Sequence, residues 1–123
     1  MRLIEIYKCL CDETRLRILN LLARGPLCVC HFQEILEMDQ VPISKHLAYL
    51  REHRMVASQR HGQWVIYSLP SERAGELDLQ LRCLQDCVQS NPVFKKDLKR
   101  LKKVQSDCGW VADAVATGSG SCK

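Results

Sequence analysis

A chain of 123 residues, 46% apolar and 26% charged with a formal net charge of +4, has length for one hydrophobic core and not for two. No run approaches the roughly 18 apolar residues of a membrane span, and acids interrupt the opening where a secretion signal needs an unbroken apolar stretch. A cytoplasmic protein without membrane contact is expected, and in that reducing compartment eight cysteines point to metal or redox chemistry rather than disulfides.

Leu3, Ile6, Tyr7 and Leu10 recur at helical spacing, and after Cys11-Asp12 a second run sets Leu16, Ile18, Leu19 and Leu22 on one side. Asp12 or Thr14 can cap this second helix, and Gly25-Pro26 ends it. A short third helix is expected from about Cys28 to Leu36. After a turn at 37–40, Ile43, Leu47 and Leu50 mark a fourth. Pro42 is tolerable only in a first turn, which puts the N-cap near Asp39.

From Val56 the period becomes two, is broken at His61-Gly62-Gln63, and resumes in a β-rich run from Trp64 to Leu69, predicting a hairpin. A long helix follows over about 71–90, with Leu77, Leu81, Leu84 and Val88 as its apolar stripe, stopped by Asn91-Pro92. Phe94, Leu98, Leu101 and Val104 space a basic amphipathic helix in which six cations face one acid, Asp97. The glycine- and serine-rich end is expected to be a flexible tail. The divisions are a unit at 1–90, the basic helix at 91–105 and the tail at 106–123.

Helix, turn, helix and hairpin in that order make a winged helix-turn-helix, a mainly α architecture with one small β-hairpin (α+β). Dimerisation is expected because so small a core is marginal alone. In such a unit the second helix of the pair enters the DNA major groove and the wing touches the backbone or the minor groove. Gln40, Ser44, Lys45, His46 and Tyr49 are the candidate reading residues on the fourth helix. Arg60, His61, Gln63 and Trp64 are those of the wing.

Four segments, Asp12-Glu-Thr-Arg-Leu-Arg-Ile-Leu19, Leu27-Cys-Val-Cys30, Ile43-Ser-Lys-His-Leu47 and Gly62-Gln-Trp-Val-Ile-Tyr67, stand in one order. Together they resemble the arsenical-resistance branch of the ArsR/SmtB metalloregulators over roughly residues 3–70. The resemblance implies a dimeric repressor that leaves operator DNA when As(III) or Sb(III), or in cousins Cd(II), Pb(II) or Zn(II), binds thiolates. It also implies Cys28 and Cys30 as the ligand pair. Two departures are visible. Arg54 stands where the family has a glycine after the reading helix, and Gln33 stands where arsenic-sensing relatives have a third cysteine.

Soft thiolates select soft ions, and a helix N-terminus favours the thiolate anion. Two helical residues turn ~200° apart, so Cys28 and Cys30 would diverge if both were helical. Sulfurs sharing an ion must lie within roughly 4 Å, and ligation is therefore expected to unwind or re-aim the first turn of the third helix. Cys83 and Cys87, at i and i+4, supply either a third ligand or a second site. Cys9 and Cys11 read as packed hydrophobes, and His31 as an exposed helix residue. Cys108 and Cys122 sit in the basic or flexible tail, within reach of either site and with no specific role assigned.

A rival reading keeps the fold and makes the signal a thiol oxidation or a sulfide species. A metal buffer without DNA contact would need neither wing nor reading helix. No Cys-x-x-Cys, phosphate-binding glycine loop or His-Glu-x-x-His motif occurs, and an enzyme is not expected.

Overall fold

The break at Cys11-Asp12 separates α1 (Arg2–Leu10) from α2 (Glu13–Leu22) in a computed structural model that describes residues 2–73, 75–88 and 90–107. Asp12 is the cap of α2: its backbone is extended, φ −155°, and its carboxylate accepts the Arg15 N–H at 3.0 Å. Burial pushes this carboxyl up. The backbone N–H of Arg15, the electrostatic effect of nearby His46, the Arg15 charge and the Thr14 N–H outweigh it, so Asp12 is more acidic than usual.

Beyond Gly25-Pro26 lies an element that periodicity did not indicate, the two-residue strand β1 (Leu27–Cys28). It leads without a loop into α3 (Val29–Leu36), and α4 (Gln40–Glu52) follows, with Asp39 at its N-cap as the position of Pro42 requires. The wing consists of β2 (Ala57–His61) and β3 (Trp64–Ser68). Gly62, at φ 61°, supplies the positive dihedral of a two-residue hairpin loop. The sheet runs β1-β3-β2, all antiparallel, with Leu27 opposite Tyr67 and Cys28 opposite Ile66.

Two helix ends adopt left-handed backbone without glycine, at Glu37 (φ 55°) and Arg54 (φ 60°). At the second, Met55 N–H donates to the Leu50 carbonyl at 2.8 Å and Arg54 N–H to that of Arg51 at 3.0 Å, the paired bonds of a Schellman cap. Arg54 therefore takes the conformation for which the resemblance implies glycine.

The last two helices are α5 (Gly75–Val88) and α6 (Pro92–Asp107), so α6 runs two residues into the stretch read as tail. The remainder of that stretch, with Cys108 and Cys122, lies outside the described residues. Ile18, Leu19, Phe32, Ile35, Ile43, Leu47, Leu50 and Leu77 form one core, and α6 adds Leu101 and Val104 to it. Asp97, fully buried, accepts both Nε and Nη2 of Arg17 at 2.8 Å. That side-chain hydrogen bonding raises the Arg17 pKa further. Arg100 donates to the Ile35 carbonyl at 3.0 Å and to Glu37 at 2.8 Å, tying α6 to the end of α3 and its left-handed exit.

Two stability effects follow. Asp97→Ala leaves a partly buried guanidinium unpaired and should lower the urea-unfolding free energy by about 3 kcal/mol. Asp12→Ala should cost about 1 kcal/mol at neutral pH. Because the folded pKa of Asp12 is depressed, its contribution is present above the unfolded value of about 3.9 and is lost as pH falls through the folded value. Unfolding curves of the wild type and Asp12→Ala should therefore converge in acid, and a constant gap down to pH 2 would contradict the cap assignment.

Candidate metal centre and DNA-reading surface

Cys28 has dihedrals φ −94° and ψ 167°, because its backbone is held in β1 against β3 while it serves as N-cap of α3. Only Cys30 is helical, so the side chains do not diverge as two helical residues would. Ligand atoms of Cys28, Cys30 and His31 all lie within 4.8 Å of one another. Unwinding of α3 is therefore not required, because the extended Cys28 already stands outside the helix, and re-aiming of its first turn is the alternative that remains.

His31 is corrected as well, being 1% exposed rather than on the solvent face. Its Nδ1 lies 3.5 Å from Cys28 Sγ. Cys28 and His31 are i and i+3, a spacing that places two side chains on one helical face even when the first is only the cap. That spacing was the missed signal.

Metal–sulfur bonds of ~2.3 Å and metal–nitrogen bonds of ~2.0–2.1 Å put neighbouring ligand atoms roughly 3.5–4 Å apart. The Cys28–His31 separation of 3.5 Å already meets this, and a contraction within the 4.8 Å group completes it. Two sulfurs and one imidazole suit a soft or borderline ion. Cys28 and His31 are buried and Cys30 is half-buried, which leaves one open side.

That side is a cleft of ≈ 250 Å³ lined by Cys28, Cys30, Gln33, Gln40, Gln63 and Trp64, with Val29 and Val65 completing its walls. Gln40 is the first residue of α4 and Gln63 belongs to the wing loop. The thiols thus border the surface from which both would approach DNA.

The candidate reading residues divide by exposure. Gln40 and Lys45 are exposed, with Ser44 and His46 half-buried beside them. Val41, 63% exposed, shares this face and was not singled out. Tyr49 is engaged within the protein, its ring under the Arg15 guanidinium at 4.4 Å and 4.5 Å from the His53 ring.

On the wing Arg60 and Gln63 are exposed, and Arg60 Nε donates to the Gly62 carbonyl at 3.2 Å. His61 is half-buried, and its Nε2 finds no partner among the described residues. Trp64 packs on Cys28 and Ile66, its Nε1 buried and likewise unpartnered. It closes the wing loop opposite His61 while its ring packs in the seam between wing and thiols.

Cys83 and Cys87 stand together on the exposed side of α5, outside the Cys28 group. The neighbouring Cys83 is the chief cause that pushes the Cys87 thiol up. Cys9 is fully buried, as packing predicted, and burial raises its thiol pKa, whereas Cys11 is exposed and corrects the packed reading.

Residues 12–58 match the family model described as bacterial regulatory protein, arsR family. The Escherichia coli arsenical resistance operon repressor is 42% identical over 92 residues, which cover 71% of this chain and 79% of the repressor. The arsenic resistance transcriptional regulator ArsR1 of Pseudomonas putida is 45% identical over 68% of this chain, which spans 66% of that regulator's length. Among solved structures, HlyU from Vibrio cholerae superposes with a TM-score of 0.63 at 29% identity, covering 69% of this chain and 89% of HlyU.

Titration with Cd(II) tests the ligand set. Cys28→Ser and Cys30→Ser should each remove thiolate-to-metal charge-transfer absorbance. His31→Ala should keep that absorbance per bound ion while affinity falls roughly 10–100-fold, the loss that even an outer-shell partner produces. Unchanged affinity in His31→Ala would leave a purely two-sulfur centre.

Proposed function

Because the chain belongs to the arsR family of bacterial regulatory proteins, we propose that it is a metalloid-responsive repressor that binds operator DNA as a homodimer and is released when As(III) or Sb(III) occupies Cys28 and Cys30. The observation that carries this reading is the cleft that joins Cys28 and Cys30 to the start of α4 and to the wing. Cd(II), Pb(II) and Zn(II) suit the same donors, with the His31 imidazole as third ligand.

DNA contact is assigned to Gln40, Ser44, Lys45 and His46 in the major groove and to Arg60, His61 and Gln63 on the flanking backbone. The exposed Val41 offers an apolar contact of the kind that reads a thymine methyl. Dimerisation uses the apolar residues left in solvent by α1 and α5: Ile4, 52% exposed, Tyr7, 51%, and Leu79, 63%. Among the described residues no helix is long and apolar enough to cross a membrane. The working compartment is the reducing cytoplasm, where the thiols stay reduced.

Ligation acts through backbone pairing. Drawing Cys28 towards Cys30 moves β1, whose partner β3 carries the wing, while Cys30 moves the first turn of α3. The spacing of wing and α4 that fits DNA becomes the less populated arrangement. Cys83 and Cys87 form a separate two-thiol site on α5 rather than a third ligand for this centre.

Fluorescence anisotropy of the reduced dimer on the promoter of its own gene provides the test. Arsenite should release the wild type, while Cys28→Ser and Cys30→Ser should bind DNA as the wild type does and stay bound. Undiminished release in both variants would remove this centre from the mechanism. Release that needs an oxidant and ignores arsenite would make the signal thiol oxidation.

A further inference from the structure

Inorganic arsenite presents three exchangeable hydroxyls on arsenic, whereas an arsenical bearing one carbon substituent, RAs(OH)2, presents two. Among the described residues the centre offers two sulfurs, and its third member is an imidazole. Gln33 lies one turn beyond Cys30 on α3 and lines the adjoining cleft, so the position that could supply a third sulfur holds an amide.

The cleft itself is shaped for something other than a bare ion. Its volume is ≈ 250 Å³, while a closed cavity of about 150 Å³ is enough to hold benzene. Val29, Val65 and the Trp64 ring give it apolar walls, and among the described residues no aspartate, glutamate, lysine or arginine lines it. An apolar substituent on arsenic suits these walls better than the third hydroxyl of arsenite, which would be desolvated against them.

We propose that this site takes a monosubstituted trivalent arsenical in preference to arsenite, with arsenic held by Cys28 and Cys30 and the organic group lodged in the cleft. The inference rests on the repressor reading above and specifies its inducer. Two As–S bonds form as two As–O and two S–H bonds break, each thiol proton leaving with a hydroxyl as water. Arsenic stays trivalent and no oxidant or reductant is consumed. His31 Nδ1, 3.5 Å from Cys28 Sγ, is placed to take the thiol proton in transit. With Trp64 and Gln40 on the same walls, the organic group lies between the loop end of the wing and the first residue of α4.

The probes are phenylarsine oxide, hydrated in solution to the phenyl member of this class, and sodium arsenite. Each is titrated into the full-length dimer on labelled operator with a thiol-free phosphine as reductant. Half-release should need at least about tenfold less of the phenyl compound, equivalent to about 1.4 kcal/mol. Gln33→Cys supplies a third sulfur and should lower the arsenite requirement by about tenfold, leaving the phenyl compound little changed. Mass spectrometry of the wild type should show an adduct that keeps the phenyl group and has lost two waters.

Equal potency of arsenite and the phenyl compound in the wild type would overturn the preference. Release of Cys30→Ser by the phenyl compound at wild-type concentrations would place the capture elsewhere and overturn it too. Failure of both compounds to release the wild type would instead defeat the repressor reading itself, so the two failures are distinguishable.

Discussion

The antiparallel pairing of Cys28 with Ile66 is the constraint on which the rest of the centre depends. Without it Cys28 would be free to join α3, and its side chain would point away from that of Cys30. With it, the residue is extended, its sulfur lies 3.5 Å from an imidazole one helical turn on, and its backbone is hydrogen-bonded into the strand that carries the wing. One short strand therefore sets ligand geometry and transmits its change. Sheets convey such shifts because a backbone pair cannot slide by a fraction of a residue without breaking its bonds.

A second constraint keeps the opposite end of α3 still. Asp97 is paired inside with Arg17, and Arg100 holds the last turn of α3 and the left-handed Glu37. Asp97, the acid within the lysine run of 95–103, is thereby turned inward, and Lys95, Lys96, Lys99 and Lys102 are left exposed. With the C-terminal end of α3 anchored and its N-terminal end carrying the thiols, movement caused by ligation is confined to the end nearest the cleft. The Schellman cap through Arg54 similarly sets the exit of α4 into β2 at the cost of a non-glycine left-handed residue, about 1–2 kcal/mol.

Much of this was legible along the chain. Helical periodicity located five of the six helices to within a few residues and showed the last as basic. The period change at Val56 marked the wing, and Pro42 placed the start of α4. Asp12 was one of two possible caps, and its oxygen proved to be the acceptor. The Cys-x-Cys pair stood out because thiols in a reducing compartment need a chemical reason. Residue type, spacing and the stiffness of proline and glycine are local properties, and a local reading recovers what they control.

What the sequence by itself determined, then, is the order of helices and strands, the face each buries, and the presence of a soft-ligand pair beside a reading helix. Only the tertiary structure decided that β1 exists, that His31 is buried against Cys28, that Trp64 packs in the seam and Tyr49 under Arg15, and that Gln33 and Gln40 line one cleft with the thiols. A two-residue strand has no period to detect, and a histidine beside a cysteine has no preferred face until a neighbouring strand tilts the helix start. Those features come from pairing between segments about 40 residues apart, whose free energy depends on the partner and leaves no mark on either segment alone.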